Sequence, residues 1–314
     1  MKILVNDGMS AEGVNLLKEK GFEVITLKVP QEQLADYINQ NNIDVLLVRS
    51  ATKVRQDLID ATQLKIVGRG GVGLDNIDVE YAKSKGVKVI NTPGASSDSV
   101  GEMVIAHAMS IYRNLHQSNR RMPMEGDSNF KDLKKEFGTA YEMRGKTIGI
   151  IGFGRIGRAV AKNAVALGMS VIGFDAFLTE ADVELEFFDG RKLSFHFDMK
   201  SMDELLKNSD IITLHVPSQD NYIIGEAEIN KMKDNSVLIN TARGGVVDEK
   251  ALLSAIESGK LLGAALDVFE EEPKPSLHLL MNNKLSLSPH LAGSTVEAQD
   301  RIGIELAEQI IELS

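Results

Sequence analysis

The chain has 314 residues, 43% of them apolar and 25% charged, a globular profile long enough for two domains of ordinary size. A formal charge of −10 argues against nucleic acid as a partner, and it obliges any anionic substrate to be met by arginines at the site itself. With no cysteine, disulfides, thiolate metal sites and cysteine nucleophiles are excluded. No apolar run approaches the ~20 residues that span a bilayer, and the opening MKILVNDGMS is too short an apolar stretch for a signal peptide, so a cytoplasmic protein is expected.

In chain order, the apolar, β-branched runs KILVND, FEVITL, DVLLVRS, KIVGRG and VKVINT read as strands. Between them SAEGVNLLKEKG, QEQLADYINQNN, RQDLIDATQ and VEYAKSKG carry apolar residues at three and four spacing and read as helices, with Gly21 and Gly86 where helices stop. One long helix is expected over SDSVGEMVIAHAMSIYRNLHQSNRR, then a polar segment of little periodicity from Met122 to Arg144. The alternation restarts near residue 145 with KTIGIIG, MSVIGFD, DIITLHV, SVLINTA and GAALDVF as strands. Strands alternating with helices mean parallel sheets joined by crossovers, so the fold class is α/β with two such units.

The second unit opens on IGIIGFGRIGRAV, where Gly152, Gly154 and Gly157 have G-x-G-x-x-G spacing directly after a strand and at the head of a helix. The first glycine permits the tight turn, the second lets a pyrophosphate approach the backbone, and the third lets helix and strand pack closely. Helix N-terminal amides then face the pyrophosphate. The next strand ends in Asp175, 18 residues beyond Gly157, placed to accept from the ribose hydroxyls and to repel the extra phosphate of NADP. This pattern predicts NAD as cofactor.

Polar groups follow the later strands, at the carboxyl ends where open parallel sheets hold ligands. INTARGGVVD puts Arg243 before two glycines, ALDVFEEEP puts Asp267 ahead of three glutamates and a proline, and SPHLAGST carries His290. Hydride transfer from a secondary alcohol needs a base for the hydroxyl proton, which a histidine supplies near neutral pH. A carboxylate on its other nitrogen fixes the tautomer, and an arginine grips a carboxylate by paired hydrogen bonds. Glu272, ahead of Pro273, is the preferred partner, although spacing alone leaves Glu270 and Glu271 open, and Arg243 read alone also fits a surface ion pair. His107, His116, His196, His215 and His278 read individually as packing or surface residues. No histidine–carboxylate cluster has ligand spacing, so no metal is expected.

GFGRIGRAVA, DIITLHVP, LINTARGGVVDEKALLSAIESGKLLGAALDVFEEEP and SPHLAGSTVEAQ resemble the D-isomer-specific 2-hydroxyacid dehydrogenases along essentially the whole chain. Within that family VRSATKV, VGRGGVGLDNID and PHLAGSTVEAQ are most similar to the phosphoglycerate dehydrogenases. The resemblance implies Arg243 as substrate-orienting arginine, Glu272 as histidine partner and His290 as acid/base. It places Arg155, Ile156, Asp175, His215, Pro217, Thr241, Ala242, Asp267, Ala292 and Gly293 beside the glycine loop at NAD. Val72 and Gly73 would hold the substrate carboxylate by their amides, with Ser50 nearby, and Arg49 and Arg69 would face a phosphate. The substrate implied is D-3-phosphoglycerate or 3-phosphohydroxypyruvate in serine biosynthesis, with glyoxylate or hydroxypyruvate reduction as the alternative.

The resemblance also redraws the boundary at residue 145. It implies a flavodoxin-like substrate domain of residues 1–97 and 289–314, with a Rossmann NAD-binding domain of residues 98–288 inserted and the active site in the cleft between them. A homodimer through the NAD-binding domain is implied, and regulation through a further C-terminal domain is not expected. Some relatives of this fold act as NAD-responsive transcriptional partners, but keeping Arg243, Glu272 and His290 together favours an enzyme. Two departures stand out: Asp98 and Gly101, where the family has an uncharged residue and alanine, and VELEFFDGRKLSFHF, residues 183–197, a hairpin turning about Asp189-Gly190 that packs near the adenosine end or decorates the surface.

Overall fold

A computed structural model describes all 314 residues and divides into two compact units, residues 1–97 with 293–314 and residues 98–292. The first unit holds a parallel sheet of β1 (Lys2–Val5), β2 (Glu23–Thr26), β3 (Val45–Val48), β4 (Ile66–Arg69) and β5 (Lys88–Asn91) in the order β2-β1-β3-β4-β5, the flavodoxin-like arrangement. Every residue of β3 is buried, as an inner strand with helices on both sheet faces requires. The C-terminal helix Val296–Glu312 belongs to this unit and packs on the helix Ala11–Glu19. Gly13 and Gly303 allow their backbones to meet: a Cβ at Gly13 would lie 2.5 Å from the Gly303 carbonyl.

The second unit holds β6 (Thr147–Ile151), β7 (Ser170–Phe174), β8 (Glu180–Glu186), β9 (Lys192–Asp198), β10 (Ile211–Leu214), β11 (Ser236–Asn240), β12 (Leu261–Leu266) and β13 (Leu285–Leu287). Six of these form a parallel sheet in the order β13-β12-β11-β10-β6-β7. From β6 the chain first adds β7 on one side and later β10 on the other, so the sheet reverses its direction of growth between β6 and β10. A crevice opens at the carboxyl ends of strands at such a point. Both units are thus doubly wound α/β sheets. No helix is long and apolar enough to cross a membrane.

Several expectations need correction. The long helix is two, Ser97–Tyr112 and Leu115–Glu125, broken at Asn114, whose φ of 53° lies in the left-handed region that asparagine tolerates and whose side chain donates to the Thr139 carbonyl. The polar segment after Met122 contains a further helix, Phe130–Glu136. The second unit extends past residue 288 to Ala292, because the Leu291 and Ala292 amides donate to Asp267 of that unit, at 2.7 and 2.8 Å. β13 was not among the expected strands; three residues are too few to show a period. The hairpin is longer than 183–197 and does more than decorate. Ala181 and Val183 are buried, and Phe197 lies against Phe153 of the glycine loop with ring centres 5.6 Å apart.

Candidate active site

The glycine loop joins β6 to the helix Arg155–Ala166, and each glycine has a distinct steric role. Gly152 has φ +90°, and a Cβ there would strike the His215 carbonyl at 2.4 Å, which brings the ends of β6 and β10 together. A Cβ on Gly157 would lie 2.2 Å from the Gly152 carbonyl, so helix and strand close only around glycine. Gly154, the helix N-cap, has nothing within 4 Å of such a Cβ and leaves open space ahead of the helix amides, where Arg155 is exposed and Ile156 half-buried. That combination of open space and uncapped amides fits a pyrophosphate.

Asp175, just past β7, accepts from the Phe153 amide at 2.8 Å and from the Phe177 and Leu178 amides at 2.9 and 3.2 Å. It therefore clasps the glycine loop before any ribose arrives. At the end of β10, the His215 Nε2 meets Thr213 Oγ1 at 3.0 Å while its Nδ1 is enclosed without a partner. Desolvation pushes this imidazole down to about 3, so it is neutral, although the residue keeps some exposed surface. The Thr241 hydroxyl, past β11, is likewise buried and unpartnered, and Ala242 beside it is buried. Enclosed polar atoms without partners at the carboxyl ends of β10 and β11 suit a bound ligand. Pro217 is exposed beyond them.

At the end of β11, Asn240 organises the turn that carries Arg243. Its Oδ1 accepts from the Ala242 amide at 3.0 Å and its Nδ2 donates to the Arg243 carbonyl at 2.9 Å. Arg243 Nη1 donates to the Ala242 carbonyl at 2.7 Å. The glycine after Arg243 marks a close approach of two backbones: a Cβ on Gly244 would lie 1.8 Å from the Phe269 carbonyl. The Phe269 amide donates to Glu272 Oε1 at 3.1 Å, and Glu272 Oε2 lies 2.9 Å from His290 Nδ1. Arg243, Glu272 and His290 thus stand on one chain of contacts. Gly244→Ala is expected to cost ~1–3 kcal/mol of stability by overpacking and to lower kcat through the displaced Phe269–Glu272 contact. Denaturant unfolding together with steady-state rates checks this, and a variant unchanged in both removes the link.

Among the three glutamates the structure selects Glu272. Glu270 is tied elsewhere, exchanging backbone-to-carboxylate bonds with Glu249 at 2.8 and 3.1 Å. His290 itself has φ 56° and is held through its amide, which donates to the Asp267 carbonyl at 2.8 Å. Its ring, half exposed, presents Nε2 away from the Glu272 bond. Asp267, fully buried, is a hub: its carboxylate accepts from the Ser288 hydroxyl and the Leu291 and Ala292 amides. Gly293 groups with the first unit, beside Ser96.

In the first unit, Arg49 and Ser50 follow β3, Arg69 ends β4, and Val72 and Gly73 lie in the next loop. Asp7, nearly buried, accepts from the Arg49 amide at 2.8 Å and from the Thr52 amide and hydroxyl at 3.0 and 2.9 Å, and pairs with Lys28. Burial would raise this carboxyl, but these hydrogen bonds outweigh it and hold it below the usual range. Asp78 pairs with Arg55 at 2.7 Å. Thr92 Oγ1 accepts from the Gly71 amide and Asn91 Nδ2 donates to the Val72 carbonyl, which fixes the loop bearing Val72 and Gly73.

Asn240, Ser288, Asp7 and Thr92 escaped the sequence reading, since their tasks are hydrogen bonds to distant backbone with no spacing signature. The departures also resolve. Asp98 is exposed, and Gly101 brings its helix within reach of Ala159, where a Cβ would lie 3.1 Å from backbone. No ligand spacing is legible along the chain, yet the hairpin gathers a histidine and carboxylates in space. Antiparallel pairing of β8 and β9 puts ligand atoms of Glu180, His196 and Asp198 within 4.8 Å of one another. All three are exposed, and Asp182 binds His196 Nδ1 at 2.8 Å, which, with the neighbouring carboxylates, holds that imidazole above its usual range.

Comparison with known proteins shows the family. A family model described as D-isomer specific 2-hydroxyacid dehydrogenase, NAD binding domain, matches residues 105–292. A hydroxypyruvate reductase of Thermotoga maritima is 43% identical, covering 98% of this chain and 97% of its own. A D-3-phosphoglycerate dehydrogenase of Methanocaldococcus jannaschii is 42% identical over 99% of this chain, which spans only 57% of that longer protein. The solved holo form of Rhodotorula graminis D-mandelate dehydrogenase superposes with a TM-score of 0.85 at 26% identity, covering 99% of this chain and 93% of its own.

Proposed function

Since this chain belongs to the D-isomer specific 2-hydroxyacid dehydrogenase family and is an NAD-dependent dehydrogenase, we propose that its substrate pair is D-3-phosphoglycerate and 3-phosphohydroxypyruvate, the entry to serine biosynthesis. The chemistry rests on one observation, the 2.9 Å bond between His290 Nδ1 and Glu272 Oε2. With Nδ1 committed to the carboxylate, Nε2 takes the hydroxyl proton in oxidation and returns it in reduction. The glycine loop and Asp175 would hold NAD, whose nicotinamide would accept the hydride in oxidation and, as NADH, supply it in reduction. Glu272 stabilises the imidazolium, and Arg243 holds the carboxylate and carbonyl of the acid by paired donors. A homodimer through the NAD-binding domain belongs to the same reading, supported by Met124 and Phe130, both exposed on the arm after Asn114.

Phosphate recognition is assigned to Arg49 and Arg69, each at the carboxyl end of a strand, against a net charge of −10. The 43% identity to a protein named hydroxypyruvate reductase favours the second reading, reduction of hydroxypyruvate or glyoxylate, in which those arginines have no phosphate to meet. Steady-state rates with NADH on phosphohydroxypyruvate, hydroxypyruvate, glyoxylate and 2-oxoglutarate separate the two. Arg49→Gln is expected to cut kcat/KM for phosphohydroxypyruvate by roughly 10- to 100-fold, the worth of one charge-assisted contact, and to leave hydroxypyruvate nearly unchanged. Equal losses would make Arg49 structural, and a wild type preferring hydroxypyruvate would establish the second reading.

A further inference from the structure

His107, on the helix Ser97–Tyr112, is only 6% exposed and takes no part in the chemistry just assigned. A buried imidazole is costly unless both nitrogens find partners. Here both do: Nδ1 lies 2.9 Å from Ser286 Oγ and Nε2 lies 3.0 Å from Ser288 Oγ. The proton positions follow from donor arithmetic. Ser288 has one hydroxyl proton and gives it to Asp267 Oδ1 at 2.6 Å, so its oxygen accepts from His107 Nε2–H. In neutral His107, Nδ1 then accepts from the Ser286 hydroxyl. Burial, the largest influence, lowers the affinity of this imidazole for a second proton; Asp267 opposes that and His116 adds to it.

The far end of this chain is the segment that carries His290. Asp267 takes the His290 amide on its carbonyl, the Leu291 amide on Oδ1 and the Ala292 amide on Oδ2. His290 sits at φ 56°, a conformation that persists only where neighbours hold it. The Ser288 hydroxyl shares Oδ1 with the Leu291 amide, and His107 sets which way that hydroxyl points.

We propose that His107 is a positioning residue for His290: through Nε2–H it locks the Ser288 hydroxyl onto Asp267, and Asp267 then holds the backbone that aims the His290 ring at Glu272. The proposal rests on the reading of His290 as acid/base. A chain of aligned hydrogen bonds from Ser286 through His107 and Ser288 to Asp267 connects residues up to 181 positions apart. Ser286, His107 and Ser288 are outside the residues assigned to NAD or substrate, so loss of their contacts is expected to disturb aim more than binding.

The test uses the intact enzyme with NADH and whichever 2-oxo acid the wild type reduces, comparing His107→Leu, His107→Gln, Ser288→Ala, the Leu/Ala double variant and His290→Asn. His107→Leu is expected to lower kcat roughly ten-fold, since small misplacements of a reacting group are costly, with the KM for NADH little changed. The pH dependence of the reduction rate should change as the His290 ring loses its alignment with Glu272. His107→Gln, which keeps a donor, should restore most of the rate. Ser288→Ala should match His107→Leu, and the double variant should be no worse than either, as expected of one shared interaction. Wild-type kcat and pH profile in Ser288→Ala, multiplying losses in the double variant, or loss in Gln equal to that in Leu would each overturn the relay. Should His107→Leu fail to fold, the Gln and Ser288→Ala variants decide by the same criteria. An active His290→Asn would instead sink the underlying assignment of the acid/base.

Discussion

His290→Asn is expected to lower kcat by roughly 10²–10⁴-fold, the usual cost of removing a general acid/base, while NADH affinity stays nearly the same. Asparagine suits the experiment because it tolerates the left-handed backbone at φ 56°, so the Asp267 anchor to the amide at this position survives. What disappears is the ring nitrogen proposed to exchange a proton with the substrate. Glu272→Gln gives a milder companion result. In the reducing direction the imidazolium must donate, and the carboxylate 2.9 Å from Nδ1 stabilises that charged form. Its neutral replacement should lower kcat for reduction and change the pH dependence of the rate, since the bond to His290 loses its charge. Stopped-flow or steady-state kinetics across pH reads both effects. Wild-type kcat in His290→Asn would show that another group carries the proton.

Asp175→Ala is expected to weaken NADH binding by roughly 10- to 150-fold, the equivalent of ~1.5–3 kcal/mol for a lost charge-assisted hydrogen bond, and to narrow the gap between NADH and NADPH. Two causes act together. The carboxylate that would accept from the ribose hydroxyls and repel a 2′-phosphate is gone, and so is the acceptor that clasps the Phe153 amide of the glycine loop. Asp175→Asn separates them, since it keeps an acceptor for the loop while removing the charge. Its NADPH affinity should rise more than its NADH affinity falls. Isothermal titration calorimetry of the six enzyme–nucleotide pairs measures this, and a wild type that preferred NADPH would contradict the role of Asp175 outright.

Much of this protein was legible in its sequence for local reasons. Period-two and continuous apolar runs mark β1 to β7 and β10 to β12, and intervening helices follow from three and four spacing, because each element buries a face set by its own repeat. The spacing of Gly152, Gly154 and Gly157 announces its own steric need, which the contacts of Gly152 and Gly157 and the open space at Gly154 bear out. Arg243, the glutamates and His290 stand at strand ends, where chemistry collects in parallel sheets. Asn114, by contrast, breaks a helix that reads as continuous, since a single left-handed residue leaves no period to detect.

Tertiary structure decided the rest. Which of three consecutive glutamates faces His290 depends on how the chain returns after β13: Glu272 meets the imidazole, while Glu270 is drawn to the start of the helix Glu249–Glu257. The carboxylates and imidazole of the hairpin meet through strand pairing across its turn. His107, Ser288 and Asp267 come together from the first helix of the second unit and the ends of β13 and β12. Local preference acts over a few residues, whereas a hydrogen bond is satisfied wherever the packed chain brings donor and acceptor to about 3 Å; the sequence alone determined the scaffold and the reacting groups, and packing determined which of them work together.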